Sequence, residues 1–229
     1  MTFSDFYLFW RKFGKKSLNG EPIAIALGGS RGIGLGTFQS DWDFNVFFGN
    51  LDHIAERRLT KDGFLFVNGE KVHWYLHSLN SFDGGPNKGI PWCSAFWAKL
   101  PLMEETSFYA ITEKGERYIA FLRENQEAIS ILSLKNVFSC CNDDPDAVFV
   151  KLKKGIYGLM KLGNHFGLSD FSDDDILKCK TDFGPYINEN RVVLVDLLSK
   201  LKHYVDEYDF PFKNMNGFWE RTIKEKCLM

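Results

Sequence analysis

The chain has 229 residues and a formal net charge of −2, with 45% apolar and 25% charged residues. This composition is ordinary for a globular protein that is long enough to bury a substantial core. The balanced charge disfavours binding of a long nucleic acid, for which a strongly basic surface is needed.

The cysteines and the apolar runs bear on location. Five cysteines, an odd number, lack the paired spacing of a metal site and favour a reducing, cytoplasmic setting. The N-terminus lacks the basic and apolar regions of a signal peptide. No apolar run approaches the ~20 residues of a membrane span, so we expect a cytoplasmic protein without a membrane partner.

The first half of the chain mixes helices and strands. Residues 3–16 repeat apolar side chains at helical spacing, and the apolar run 22–27 predicts a buried strand. A glycine-rich loop over 28–40 leads into a second strand over 43–48. A short helix is expected over 51–59.

A hairpin follows this part of the chain. Two strand-like runs, over 64–67 and 71–79, are joined by an Asn-Gly dipeptide, which is the strongest short-range hairpin signal. Apolar and polar residues alternate in the second run, so one face should meet the core and the other solvent or a site. The polar face carries Lys71, His73, Tyr75 and His77.

After residue 105 the sequence becomes mainly helical. Apolar spacing predicts helices over 112–133, 146–162, 172–180 and 188–208. Ser172, three residues before Asp175, is typical of a helix N-terminus. We therefore predict an α+β protein with two domains: a mixed β-sheet with flanking helices over 1–108, and a helical bundle over 109–229.

The segment with the clearest chemistry runs from the first strand into the second. The first strand leads into Gly28-Gly29-Ser30, and the second begins at Asp41 and Asp43. Glycines let the backbone approach phosphate oxygens and present N–H donors to them. The two aspartates would point to one face of a strand, where their charges repel unless a cation lies between them. Mg²⁺ commonly binds one or two carboxylates together with substrate phosphates, so the pattern predicts a nucleoside triphosphate site.

Over roughly residues 22–80 the chain resembles the nucleotidyltransferase (DNA polymerase β-like) superfamily, particularly its stand-alone bacterial members. The positions that carry the resemblance are Gly28, Gly29, Ser30, Arg31, Gly36, Thr37, Ser40, Asp41 and Asp43. The nucleotide-binding residues that it implies are Gly28, Gly29, Ser30, Arg31 and Ser40. The metal ligands that it implies, for Mg²⁺ or Mn²⁺, are Asp41 and Asp43, which would also be catalytic.

The resemblance also implies a reaction and a fold. The reaction is transfer of a nucleoside monophosphate from an NTP, expected to be ATP, to an acceptor hydroxyl with release of pyrophosphate. The fold is a nucleotidyltransferase-type mixed sheet with flanking helices, to which the helical second half adds a wall of the acceptor pocket. The acceptor itself is not indicated by the sequence.

One position departs from the family pattern. The hairpin of these proteins often carries Val-Asp-Trp, whose aspartate is a third metal ligand, whereas this chain has His73 there. A neutral imidazole brings no negative charge, and Mg²⁺ binds nitrogen poorly. We expect either a nitrogen-tolerant metal such as Mn²⁺ or weakened transfer, with His73 also a candidate catalytic general base. Glu70, near the hairpin turn, is a weaker candidate for the missing carboxylate.

Two other functions stay open at this point. The glycine-rich loop also resembles the cofactor loop of short-chain dehydrogenases/reductases, and Tyr157 and Lys161 match their Tyr-x-x-x-Lys pattern. Such a loop should lead into a helix and a parallel strand, and the sequence here favours strands and a hairpin instead. The other alternative is a degenerate nucleotidyltransferase that binds nucleotide and regulates a partner. His73 favours that alternative, and the intact Asp41 and Asp43 disfavour it.

Overall fold

The structure is a computed structural model, and it describes residues 1–11, 21–49, 65–67, 69–78, 96–152 and 155–210. The helix expected over 51–59 lies outside the described residues. Within the described residues the chain is α+β, as predicted, and its strands form one five-stranded mixed sheet.

The described residues form five strands, seven α-helices and two short 3-10 helices. The strands are β1 (Ala24–Leu27), β2 (Trp42–Phe48), β3 (Leu65–Val67), β4 (Glu70–Ser78) and β5 (Phe108–Ala110). The α-helices are α1 (Phe3–Phe9), α2 (Glu113–Glu124), α3 (Gln126–Ser139), α4 (Pro145–Leu152), α5 (Ile156–His165), α6 (Asp173–Thr181) and α7 (Phe183–Glu207). Short 3-10 helices at Leu100–Leu102 and Glu105–Ser107 precede β5.

The sheet has the strand order β3-β4-β2-β1-β5. β2 and β4 pair in parallel, whereas the other neighbouring strands pair antiparallel. The predicted hairpin is confirmed, because Val67 and Glu70 face each other across the turn between β3 and β4. Gly69 in that turn has a φ of +82°, which glycine adopts without the steric cost of a Cβ.

Helix α1 covers one face of the sheet with apolar side chains. It begins after Thr2, whose side chain accepts a hydrogen bond from the Asp5 backbone N–H in a capping box. Phe6 and Trp10 lie at helical spacing and are both buried. The side chains of the sheet that pack with them are Ile25, Phe44, Val46, Phe48, Val72 and Leu76. Each large side chain buried in this way contributes roughly 1.5–3 kcal/mol, so this face of the sheet is committed to the core.

The opposite face changes from apolar to polar along β2 and β4. At one end Phe47 packs against Tyr118 of α2, with ring centroids 5.2 Å apart. Toward the other end the parallel register pairs Asp43 with His73. Because α2 covers the apolar end, the half-buried polar end is the part of this face that could receive a ligand.

The helical half differs in detail from the sequence prediction. The helices predicted over 112–133 and 146–162 are each two helices, because the chain breaks at Asn125 and at Gly155, two residue types with poor helix propensity. Ser172 is confirmed as a helix cap, since its Oγ accepts from the Asp175 N–H at 3.1 Å. No helix in the described part of the chain is both long and apolar enough to cross a membrane.

The described residues group into two compact units. The first contains α1, the sheet and α2; the second contains residues 96–103 and the helices α3 to α7. This grouping differs from a division after residue 108, because β5 pairs with β1 and thereby joins the sheet together with α2. Leu194, Leu198 and Leu201 of α7 are fully buried in the second unit.

Candidate functional site

The glycine-rich segment leaves β1 as a compact turn. The Gly28 N–H donates to the Asp43 carbonyl oxygen at 2.6 Å and so extends the ladder between β1 and β2. The chain then folds back, and the Leu35 N–H donates to the Ser30 carbonyl oxygen at 2.8 Å. Residues 28–40 are all described, and they form turns and bends that lead directly into β2 without a helix.

Gly29 brings this turn into contact with the carboxylate of Asp43. Its φ of +61° lies in the left-handed region, and a Cβ built on Gly29 would overlap Asp43 Oδ2. Any other residue would need both a strained backbone and a displaced carboxylate. The turn and the acidic strand are therefore held side by side at a position where only glycine fits.

The two predicted metal ligands lie at the start of β2 and interact with side chains of β4. Asp41 Oδ2 lies 3.0 Å from Lys71 Nζ and 3.2 Å from His73 Nε2, the second contact being an ion pair when the ring is protonated. Asp43 Oδ1 accepts a long hydrogen bond of 3.4 Å from the Tyr75 hydroxyl. The structure thus brings Asp41, Asp43 and His73 together, as the sequence pattern predicts.

The fit of this site to a divalent cation is partial. Among the described residues no group of three or more His, Cys, Asp or Glu side chains is arranged to hold a metal ion. Asp41 and Asp43 nevertheless supply two partly exposed carboxylates, which is the protein contribution that Mg²⁺ commonly takes when phosphate oxygens complete its shell. The donor chemistry therefore fits a cation that arrives with a nucleotide, whereas His73 contacts Asp41 instead of completing a three-residue set.

Arg31 and Ser40, both predicted to bind nucleotide, shape the loop in this structure. Arg31 donates from Nε and Nη2 to the Ser40 carbonyl oxygen, at 3.1 Å and 2.9 Å. Its guanidinium carbon lies 4.2 Å from the ring centroid of Trp42, a cation–π distance. The Ser40 Oγ accepts from the Thr37 N–H at 2.9 Å. These contacts fix the path from the glycine turn to β2, and a role in nucleotide binding stays a prediction.

The turn is also held by a hydrogen bond from Ser107, a residue that the sequence does not predict to be part of the site. Ser107 is buried, and its Oγ donates to the Gly32 carbonyl oxygen at 3.1 Å. Ser30, predicted to bind phosphate, is itself largely buried in the turn. No sequence signal links Ser107 to the loop, because the two lie far apart along the chain and a lone serine carries no pattern.

A buried polar pair lies on the same face of the sheet as the acidic end, further along β2 and β4. His77 Nε2 lies 2.9 Å from Asn45 Oδ1, and the imidazole stacks on Phe47 with ring centroids 5.0 Å apart. Burial lowers the pKa of His77 from 6.5 to about 3, so the ring is neutral at physiological pH. The pair therefore places hydrogen-bonding groups next to the acidic end without adding charge.

The carboxylate of Glu70, the weaker candidate for a third metal ligand, is held by groups outside the acidic end. Its Oε1 accepts from Trp42 Nε1 at 3.0 Å, and its Oε2 pairs with the N-terminal ammonium of Met1 at 3.2 Å. The hydrogen bond from Trp42, followed by that from the N-terminus, holds the pKa of Glu70 below its usual range. Glu70 also precedes His73 by an odd number of residues, so its side chain leaves the opposite face of β4.

The glycine loop and the Tyr-x-x-x-Lys pattern expected of a dehydrogenase belong to different units. The glycine turn belongs to the first unit, whereas Tyr157 and Lys161 lie on α5 in the second. β1 and β2 pair antiparallel and are joined without a helix, so the parallel strand–helix–strand unit of a dinucleotide site is not formed by this loop.

Comparison of the chain with protein-family models, with curated proteins and with solved structures gives no match. The resemblance of residues 22–80 to nucleotidyltransferases therefore stays a prediction. A function for the site has to be argued from its residues and their geometry.

Proposed function

We propose that the protein is a metal-dependent nucleotidyltransferase. It binds an NTP, with ATP the expected one, and transfers the nucleoside monophosphate to an acceptor hydroxyl. The observation that carries this proposal is the contact of Gly29 with the Asp43 carboxylate. A phosphate bound by the N–H groups of the turn would lie beside Asp43, where a cation could bridge phosphate and carboxylate.

The charges around the turn also support this proposal. Two carboxylates close together repel a bare triphosphate, so the anionic ligand requires a bridging cation. Asp41 and Asp43 are the residues that would hold Mg²⁺ or Mn²⁺, and such a cation would neutralise charge on the leaving pyrophosphate. The turn of Gly28, Gly29 and Ser30 would orient the phosphates through the N–H groups of Gly29 and Ser30 and the Ser30 hydroxyl, because the Gly28 N–H already donates to the Asp43 carbonyl oxygen.

His73 is the proposed general base in this reaction. The acceptor hydroxyl oxygen forms a bond to the α-phosphorus, the bond from that phosphorus to the bridging oxygen of pyrophosphate breaks, and the hydroxyl proton passes to an imidazole nitrogen. His73 is suited to this role because it lies opposite Asp43 in the parallel register and within 3.2 Å of Asp41. The Asp41 carboxylate beside the imidazole would hold the ring in a fixed orientation.

A second candidate is a protein that binds nucleotide and does not transfer it. The observation that favours it is the presence of His73 and Lys71, both basic, on the Asp41 carboxylate. Such an arrangement supplies less negative charge for a metal than a third carboxylate would. This candidate predicts nucleotide binding without release of pyrophosphate.

Calorimetric titration tests the binding step. ATP, GTP, CTP and UTP, each with Mg²⁺ or Mn²⁺, are titrated into the wild type and an Asp41→Asn/Asp43→Asn double variant. The matched control is Asp173→Asn/Asp174→Asn, which makes the same charge change at exposed residues of α6. We expect metal-dependent NTP binding that the first variant loses and the control keeps. Binding of NADH or NADPH with no binding of any NTP would reject the proposal in favour of a dehydrogenase.

Release of pyrophosphate tests the transfer step. The purified protein is incubated with each NTP that binds and with mixtures of small-molecule, protein and RNA acceptors. We expect pyrophosphate release in the wild type and a loss of about 10²–10⁴-fold in His73→Ala, the usual contribution of a general base. Binding without release in any mixture favours the non-catalytic candidate, and full activity of His73→Ala removes the role assigned to His73.

A further inference from the structure

One carboxylate oxygen of Asp41 is contacted by two basic side chains of β4. Lys71 Nζ and His73 Nε2 lie 3.0 Å and 3.2 Å from the same Oδ2 atom. The side chains of Lys71 and Asp41 are each 36% exposed, so the pair is accessible to solvent. Ion pairs with this exposure contribute little to folding, and the pairing has no evident structural purpose.

Lys71 and a divalent cation compete for the same atom. A metal ion on Asp41 Oδ2 would lie within a few ångströms of the ammonium group, and two cations at that separation repel strongly outside bulk water. Lysine carries its charge on a flexible four-carbon stem, so the ammonium can move away from the carboxylate. A second anion within reach of the ammonium would favour its departure from Asp41.

The proposed substrate supplies that anion. An NTP bound at the glycine turn would bring phosphate oxygens close to Asp43. Asp43 lies opposite His73 in the sheet, and Lys71 is two residues before His73 on the same face of β4. An ammonium released from Asp41 would then be within reach of a phosphate oxygen, and Asp41 would be free to bind the cation.

We infer that Lys71 is an exchangeable counter-cation that makes metal binding at Asp41 depend on nucleotide. This inference rests on the proposed function and adds to it a selectivity for the form in which the metal is bound. The site rejects free divalent cations and accepts the metal–nucleotide complex. By linkage, the factor by which nucleotide raises the affinity for metal equals the factor by which metal raises the affinity for nucleotide.

Electron paramagnetic resonance of Mn²⁺ tests the inference without relying on activity. The signal of free aqueous Mn²⁺ gives its affinity for the wild type, Lys71→Met and Lys71→Arg, with and without a non-hydrolysable NTP analogue. Lys114→Met is the matched control, because Lys114 is an exposed lysine on α2 of the same unit. Thermal unfolding of each variant verifies that it is folded.

We expect Lys71→Met to bind Mn²⁺ alone about tenfold more tightly than the wild type, a typical coupling between two ligands. The enhancement by nucleotide should shrink in this variant, and Lys71→Arg and Lys114→Met should behave as the wild type. Unchanged or weaker Mn²⁺ binding by folded Lys71→Met, while the wild type still binds Mn²⁺ with nucleotide, overturns the inference and leaves the proposed function standing. Absence of Mn²⁺–nucleotide binding in the wild type overturns both.

Discussion

Two glycines with positive φ allow the effect of backbone strain to be measured apart from the effect of a close contact with Asp43. Gly29 and Gly69 have φ values of +61° and +82°, but only at Gly29 would a Cβ meet other atoms, those of Asp43. We predict that Gly29→Ala and Gly69→Ala each lose about 1–2 kcal/mol from the strained backbone. Gly29→Ala should lose further stability and also NTP binding, because Asp43 must move.

Urea unfolding and NTP titration of the two variants distinguish these effects. The Gly69→Ala variant is the control, since nothing lies within 4 Å of its added methyl group. Equal stability of the two variants, with NTP binding retained by Gly29→Ala, would contradict the close contact between the turn and the carboxylate.

The buried histidine of β4 predicts a dependence of stability on pH. The pKa of His77 is about 3 in the folded chain, below the ordinary value of 6.5. Above pH 6.5 the ring is neutral in both states, and its contribution to stability is complete. As pH falls from 6.5 toward about 3, only the unfolded chain takes up this proton, so the free energy of unfolding decreases by up to about 1.4 kcal/mol per pH unit.

Urea unfolding at pH values between about 5 and 7 measures this dependence. We predict a smaller slope in His77→Gln, since glutamine does not titrate. The control is His203→Gln, which removes a histidine whose side chain is 73% exposed and should keep the wild-type slope. Identical slopes in all three proteins would show that His77 titrates normally.

The residues of the site differ in how far sequence could predict them. Glycine and aspartate at the ends of predicted strands are local patterns, and Gly29 and Asp43 do lie in contact. The pairing of Lys71 with Asp41 depends on the register between two strands distant in sequence, which alternation within either strand cannot give. For Arg31 the resemblance implies nucleotide binding, which stays a prediction, and its bonds to the Ser40 carbonyl oxygen have no sequence signal.

At the scale of elements, the sequence correctly predicts those elements that depend on short-range patterns. The β3–β4 hairpin follows from Asn-Gly, and helix α1 follows from apolar spacing. The parallel pairing of β2 with β4 joins strands between which β3 lies in the chain, and it has no local signal. Apolar spacing also continues across Asn125 and Gly155, which is why two pairs of helices were each predicted as one.

The packing of α1 on the sheet gives a prediction at this scale. Phe6 is completely buried and stacks on Phe44 with ring centroids 4.0 Å apart, whereas Leu8 on the same helix is 64% exposed. We predict that Phe6→Ala costs about 3–5 kcal/mol in the free energy of unfolding, through lost burial and a cavity. Leu8→Ala should change it by less than about 0.5 kcal/mol.

Urea unfolding measures both values. Because both variants shorten an apolar side chain of α1 to alanine, the change in helix propensity is similar and the difference reports burial. A Phe6→Ala variant as stable as Leu8→Ala would mean that α1 does not cover the sheet in solution.

At the scale of the whole molecule, the sequence predicted an α+β protein with a sheet first and helices after it. The α+β class and the mixed sheet are found in the described residues. The grouping into two units does not follow chain order, because the three-residue strand β5 returns to the edge of the sheet beside β1. A strand this short has too few residues for its alternation to be recognised.

The central claim is that a glycine turn and two aspartates of the first unit bind a metal–nucleotide complex. The most direct measurement is a crystal structure with Mn²⁺ and a non-hydrolysable NTP analogue, in which anomalous scattering locates the metal. We predict a manganese peak between Asp41, Asp43 and the phosphates, with the phosphates against the turn of Gly28 to Ser30 and on the N–H groups of Gly29 and Ser30. An analogue bound elsewhere on the protein, or a manganese peak remote from both aspartates, would contradict the account.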